Sequence, residues 1–288
     1  MIQAALLGIV QGLTEFLPVS STAHLILARA FFGFDGDQFG LSFDVACHIG
    51  TLLAVVVYFR ADIARMISAL PLALRIPDRG LRNPESKASE STVHDSRSAI
   101  DDDARMIWLL IVGTIPAVIA GLLFKKPIEE YLRTVPVAAV ALAAGALCFF
   151  AAERIGSHER PERSLTLMEA FWIGCAQALA LIPGVSRSGA TIVAALLIGL
   201  RRADAARFIF LLSIPAILGA AASEAPKLLK AGLGGEAALF GIGIVSSAIV
   251  GYIAVKFFIQ YLGKHSLAAF AWYRLALAGV AAIWIWRG

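Results

Sequence analysis

Charge is scarce in this chain. Only 16% of its 288 residues are Asp, Glu, Lys or Arg, while 59% are hydrophobic. That shortage excludes an ordinary soluble domain, which needs about a quarter of its residues charged to build a wet surface. Cysteine is nearly missing too. Cys47, Cys148 and Cys175 fall in apolar stretches, and no two have the spacing of a metal or redox pair. A disulfide scaffold is therefore excluded, and all three are expected to be buried packing residues. There is no basic stripe with interleaved aromatics, so the net charge of +4 does not indicate nucleic acid. The opening Met1–Val10 carries no basic residue, and Gln11 and Glu15 follow at once. It is a poor signal peptide and is expected to stay in the mature protein.

What the chain does have is long apolar runs. About 20 apolar residues cross a bilayer as a helix. Six runs qualify: 41–59, 106–124, 135–152, 208–222, 238–258 and 267–286. Two further apolar regions are interrupted. Glu15, Pro18, Ser20, Ser21, Thr22 and His24 break residues 1–33, and Pro183, Gly184, Ser186, Arg187, Ser188 and Gly189 break residues 165–200. Each is expected to be a re-entrant helical hairpin, since irregular backbone at membrane depth survives only where protein or a wet cavity satisfies it. The fold class is therefore an all-α integral membrane protein with about six spanning helices and two re-entrant hairpins.

The two halves read alike. Each hairpin carries Gln, Pro and a serine pair, and three spans follow it. Residues 1–152 form the first repeat and 165–288 the second. An odd number of spans per half would insert the second upside down, an inverted repeat with the site at the repeat interface. The segment 60–105 is expected to be a polar loop. Its Arg60, Arg65, Arg75, Arg79, Arg82, Lys87, Arg97 and Arg105 place it in the cytoplasm. Its polar Ser/Asp-rich part, 77–103, reads as a flexible linker. Gly8 and Gly12 make a small-xxx-small pattern, which predicts close helix packing.

The polar breaks carry the chemistry. Gln11 and Glu15 lie four apart and share a helix face. A carboxylate in an apolar segment is a functional hypothesis by default. Glu15, Ser21 and His24 are the parts of an activated nucleophile with a general acid/base. In the second break, Gly184 and Gly189 free the backbone and Arg187 offers a planar fork for phosphate oxygens. Ser186, Ser188 and Thr191 add neutral donors, and the helix that follows favours an anion at its N-terminus. Asp44 and His48, one turn apart at the start of a span, either join the site or line its entrance. His94, His158 and His265 carry no site signal.

These motifs strongly resemble those of the bacterial undecaprenyl-diphosphate phosphatases. Gln11 to Glu15 matches that family's (Glu/Gln)-x-x-x-Glu signature, followed by Leu-Pro-Val-Ser-Ser-Thr-x-His at Leu17–His24. Pro183–Thr191 matches its Pro-Gly-x-Ser-Arg-Ser-x-x-Thr signature. The resemblance covers essentially the whole chain apart from 77–103. Gln11 stands where many members have Glu, and Ala23 where many have Gly.

The resemblance implies removal of the terminal phosphate from undecaprenyl diphosphate, which recycles the lipid carrier for peptidoglycan, and resistance to bacitracin. It implies a multi-pass inner-membrane enzyme whose site faces the periplasm, a divalent cation (Mg²⁺ or Ca²⁺) near Glu15, and a lipid partner. A homodimer is compatible with it. Glu15, Ser21, His24 and Arg187 then take catalytic positions. Gln11, Ser20, Thr22, Gly184, Ser186, Ser188, Gly189 and Thr191 take substrate-binding ones. Either Ser21 attacks the phosphorus, with Glu15 or His24 removing its proton, or Glu15 or His24 activates water. The competing class is a lipid carrier, because inverted repeats and broken helices also build transporters.

Overall fold

In the computed structural model, residues 1–33, 39–75, 95–231 and 237–287 are described. They form eleven α-helices and no strand: α1 (Ile2–Phe16), α2 (Ser21–Phe32), α3 (Leu41–Tyr58), α4 (Arg60–Arg75), α5 (Asp95–Pro127), α6 (Val135–Ile155), α7 (Leu167–Leu179), α8 (Arg187–Leu197), α9 (Arg202–Ala231), α10 (Ala237–Leu262) and α11 (Ala268–Arg287). Five contain stretches long and apolar enough to cross a membrane, namely Ala99–Phe124, Val135–Ile155, Arg202–Ser223, Ala237–Leu262 and Ala268–Arg287. The sixth expected span, 41–59, is α3. It stops at Tyr58 and bends by 77° into α4. Arg60 and Asp62 follow directly, and hydrocarbon does not admit such charges cheaply.

Three expectations need correcting. Residues 60–75 are helical rather than loop, and so are 95–105; 76–94, the centre of the polar segment, lie outside the described residues. The span expected at 208–222 begins earlier, at Arg202, because backbone hydrogen bonding continues past the point where apolar side chains end. Of the cysteines, only Cys47 is buried; Cys175 is half-buried and Cys148 exposed.

The interrupted regions become pairs of short helices. At 1.5 Å per residue, α1 with 15 residues and α8 with 11 reach only about 22 Å and about 16 Å. Neither length spans roughly 30 Å of hydrocarbon. Pro18 has no N–H to continue α1, and the chain leaves that helix at Leu17 in an extended conformation. In the second pair the reversal needs Gly184 at φ +96. A Cβ there would stand 2.5 Å from the Ala138 carbonyl oxygen.

Both breaks end in the same way. Ser20 and Ser186 cap α2 and α8 at φ 73 and 72, a region L-residues rarely adopt. Each side chain accepts from the backbone N–H three residues on, Ala23 at 3.4 Å and Gly189 at 3.1 Å.

The expected close packing at Gly8 and Gly12 is present. A Cβ on Gly12 would lie 2.7 Å from the Ser247 carbonyl oxygen of α10. The helix pairing also survives exchange of the halves. α1 packs on α10 and α7 on α5; α3 packs on α10 and α9 on α5; α3 meets α9, and α6 meets α11. Aromatic side chains from both halves fill the central core, including Phe16, Phe149, Phe208, Phe210 and Phe258. Large apolar side chains such as Leu122, Val140, Ile249 and Trp286 face outward, as lipid-facing residues should.

Ion pairs gather at one end of the bundle. Arg207 bridges Asp62 and Glu162, Arg65 pairs with Asp62 and Asp103, and Arg160 holds Glu169 at 2.7 Å. A cavity of about 250 Å³ lies among Asp62, Arg65, Arg105, Glu162 and Arg207. None of the expected site residues lines it.

Candidate active site

Glu15 sits in the last turn of α1 and is buried. Four groups from four helices converge on its carboxylate. Gln11, one turn back, donates from Nε2 to Oε2 at 2.8 Å. Ser21, the first residue of α2, donates from Oγ to Oε2 at 2.6 Å. Arg187, the first residue of α8, forms an ion pair with Oε1. His48 of α3 brings Nδ1 within 3.5 Å of Oε2. Gln11 Nε2 also lies 2.8 Å from that His48 Nδ1. An amide N–H can only donate, so Nδ1 is the acceptor and the imidazole proton sits on Nε2.

The geometry places two helix N-termini against one carboxylate. The first-turn N–H groups of a helix have no intrahelical acceptor and carry the positive end of the dipole. In α8, the N–H groups of Gly189 and Ala190 are already held by Ser186, which leaves the turn at Arg187 and Ser188 to face the site. Ser188 Oγ ties this end to the first break, donating to the Glu15 and Leu17 carbonyls at 3.2 and 3.3 Å. Thr191 Oγ1 donates to the Arg187 carbonyl at 2.7 Å, which holds the first turn closed. Ser186 and Ser188 hydroxyls are 3.3 Å apart.

Some expected residues stand apart from this cluster. His24 Nδ1 lies 2.8 Å from the Ser20 carbonyl and Nε2 lies 2.7 Å from the Tyr273 hydroxyl. A carbonyl only accepts, so Nδ1 carries the proton and Nε2 accepts from Tyr273. The His24 ring stacks on Tyr273 with centroids 5.7 Å apart. Thr22 is half-buried on the same turn without joining the cluster. Asp44 is taken by Arg29 and by Arg133, the latter at 3.3 Å, so of the Asp44–His48 pair only His48 reaches Glu15.

The sequence reading missed Arg274. It lies in the apolar helix α11, is fully buried, and reaches backbone carbonyls of both breaks. A lone arginine inside a spanning run was the available signal.

A divalent cation of the Mg²⁺ or Ca²⁺ kind takes oxygen ligands. Gln11 Oε1 is buried and has no partner, and belongs to the amide whose Nε2 donates to Glu15. That oxygen and the Glu15 carboxylate fit such an ion. Among the described residues no three His, Cys, Asp or Glu side chains converge as a ligand set, so phosphate oxygens and water would complete the shell.

Comparison with known proteins agrees over the full length. The family model described as bacitracin resistance protein BacA matches residues 4–280. The undecaprenyl-diphosphatase of Rubrobacter xylanophilus is 47% identical over 283 residues, 98% of this chain and 97% of that protein. The undecaprenyl-diphosphatase of Moorella thermoacetica is 41% identical over 289 residues, 100% of this chain and 99% of its own. The undecaprenyl-diphosphatase 2 of Stutzerimonas stutzeri is 46% identical over 283 residues, 97% of this chain and 96% of its own.

Proposed function

The chain belongs to the family of bacitracin resistance protein BacA, and on that premise we propose that it hydrolyses undecaprenyl diphosphate to undecaprenyl phosphate and inorganic phosphate. This recycles the lipid carrier for peptidoglycan and confers resistance to bacitracin. The observation that carries the reading is the buried Glu15 carboxylate with Ser21 Oγ at 2.6 Å and the Arg187 guanidinium on its other oxygen. A base, a nucleophile and an anion grip meet at one point.

The polyprenyl tail lies against lipid-facing helices and the diphosphate enters between the two breaks. Its charge draws Arg187 off Glu15, because a guanidinium fork fits phosphate oxygens as well as it fits carboxylate. Glu15, released on that side, takes the Ser21 proton as Oγ attacks the terminal phosphorus. The bond to the bridging oxygen breaks and undecaprenyl phosphate leaves, carrying the proton that Glu15 returns. Glu15 then takes a proton from the water that attacks the phosphoserine, the bond from phosphorus to Ser21 Oγ breaks, inorganic phosphate leaves, and Glu15 returns its proton to Oγ. Most of the catalytic power in such a transfer comes from positioning and charge neutralisation. The helix N-termini and Arg187 supply these here. A Mg²⁺ or Ca²⁺ held by Glu15 and Gln11 would neutralise charge on the diphosphate oxygens.

His48, through Gln11, keeps the carboxylate oriented. The 2.6 Å contact favours Ser21 over direct attack by water. The two halves are read as an inverted repeat. The matched serine caps at Ser20 and Ser186 and the helix pairs that exchange with the halves support this. Arginines gather at the end holding Arg65, Arg160 and Arg207. By the positive-inside rule that end is cytoplasmic, so the site opens to the periplasm of the inner membrane.

The test is phosphate release by the purified protein in detergent with undecaprenyl diphosphate and Mg²⁺ or Ca²⁺. We expect stoichiometric conversion to the monophosphate. Binding or movement of the lipid with no phosphate released would establish the carrier reading instead.

A further inference from the structure

Arg274 solves a problem that the two breaks create. Each break exposes carbonyls that no helix satisfies, and hydrocarbon offers no water to take their place. The Arg274 side chain is fully buried and spends its N–H groups on those carbonyls and on two carbonyls of α6. Nη1 donates to Pro18 O at 3.1 Å and to Val185 O at 3.2 Å. Nη2 donates to Gly184 O at 2.9 Å, to Val185 O at 3.2 Å and to Ala141 O at 3.0 Å. Nε donates to Leu142 O at 3.1 Å.

A buried guanidinium is usually matched by a carboxylate. Among the described residues no acid pairs with this one. All its hydrogen-bond partners are backbone, and they come from three segments distant in the sequence: the first break, the second break and the α6 turn at Ala141–Leu142. The structure also makes room for it. Gly145 faces the guanidinium, where any Cβ would collide with it, and a Cβ on Gly189 would lie 3.1 Å from Nη1. The Phe149 ring sits 5.1 Å below it.

We infer that Arg274 is a positioning residue that holds the two breaks in register, so that Ser21 and Arg187 meet on Glu15. Pro18 stands three residues before Ser21, and Gly184 three residues before Arg187. One rigid fork holds both. It touches neither the reacting hydroxyl nor the carboxylate, so it acts through the backbone. The inference rests on the phosphatase reading for its kinetic test, and has a second test that does not.

The kinetic test uses Arg274→Lys. A lysine offers three N–H groups on a flexible stem, too few for the five carbonyls that the rigid fork serves in the two breaks and α6. Displacing reacting groups by about 1 Å costs on the order of 100-fold in rate. We expect kcat to fall about 100-fold while KM stays within about threefold of the wild type, because Arg187 still grips the diphosphate. The independent test is amide hydrogen exchange, which needs no activity. Exchange in residues 17–24 and 183–190 is expected to rise at least about tenfold in the lysine variant, with α5, α9 and α10 unchanged. Should Arg274→Lys fail to fold, Gly145→Ala pushes on the guanidinium from α6 and is expected to give the same two signatures more weakly. Unchanged exchange in both breaks, or a folded variant with wild-type kcat beside an active wild type, overturns the clamp. An inactive wild type whose variant still shows the paired exchange signature would overturn the phosphatase reading and leave the clamp standing.

Discussion

The Glu15 carboxylate has two occupations: Oε1 faces the Arg187 guanidinium, and Oε2 faces Ser21 and Gln11. Removing either function separates them. Ser21→Ala is expected to lose at least about 1,000-fold in kcat with KM nearly unchanged, as a nucleophile acts only on the way to the transition state. Rapid quenching of the wild type should trap a phosphoserine at Ser21; a Ser21→Ala enzyme that keeps most of its kcat would return the attack to water. Glu15→Gln should lose a similar factor. Arg187→Ala is expected to raise KM as well, because its fork holds the ground state too, and the same phosphate-release assay reads both constants. These three residues were legible in the sequence because each is a charged or hydroxyl group inside an apolar run. Arg274 carried the same signal, a lone charge in an apolar run, but its role did not show, because its partners are backbone carbonyls that no side-chain motif reveals. His24 was expected at the centre because it neighbours Ser21 in the chain. One turn of α2 points its ring instead at Ser20 O and Tyr273.

At the scale of helices, the breaks were readable and the helix ends were not. Pro18 and Pro183 lack the N–H that would continue a helix, and Gly184 permits the positive φ of a reversal, so the sequence alone locates both breaks. The start of α9 at Arg202 and the helical nature of 60–75 depend on hydrogen bonds that continue through polar side chains, which an apolar-run criterion does not see. The conformation of Ser20 and Ser186 is a further case, since nothing in a Ser-Ser or Ser-Arg pair announces a positive φ. Gly184→Ala tests the second reversal. Its Cβ would meet Ala138 O at 2.5 Å and adopt φ +96, so a loss of about 2–4 kcal/mol is expected from the clash and the strain together. The midpoint of thermal unfolding in detergent measures it. An equal midpoint for variant and wild type would mean that the break relaxes at no cost.

The whole bundle is tied at its charged end by Arg207, Asp62 and Glu162. Glu162 lies between the spans, and burial pushes its carboxyl up to about 7 against the pull of Arg207. Its folded pKa therefore exceeds its ordinary value. The folded state binds the proton more tightly, so this group's contribution is fully present below about pH 4.5 and is lost as pH rises towards about 7, a change of about 3 kcal/mol. Glu162→Gln should flatten the fall in melting temperature between pH 5 and pH 7.5; a variant with the wild-type slope would assign that slope to another group. The spans that build this bundle were legible from apolar length, whereas the partner of each helix was not, since small residues such as Gly12 and Gly174 announce close packing without saying against which helix.

The clamp has a consequence in time. Arg274 follows Pro18 by 256 residues, and at about 5–20 residues per second of synthesis that gap is roughly 10–50 s. For the first part of that interval the first hairpin has Glu15 and Ser21 alone; Arg187 then arrives, and the clamp comes last. A nascent chain that still lacks α11 is thus expected to work about 100-fold more slowly than the folded protein, so full activity waits on the insertion of that helix.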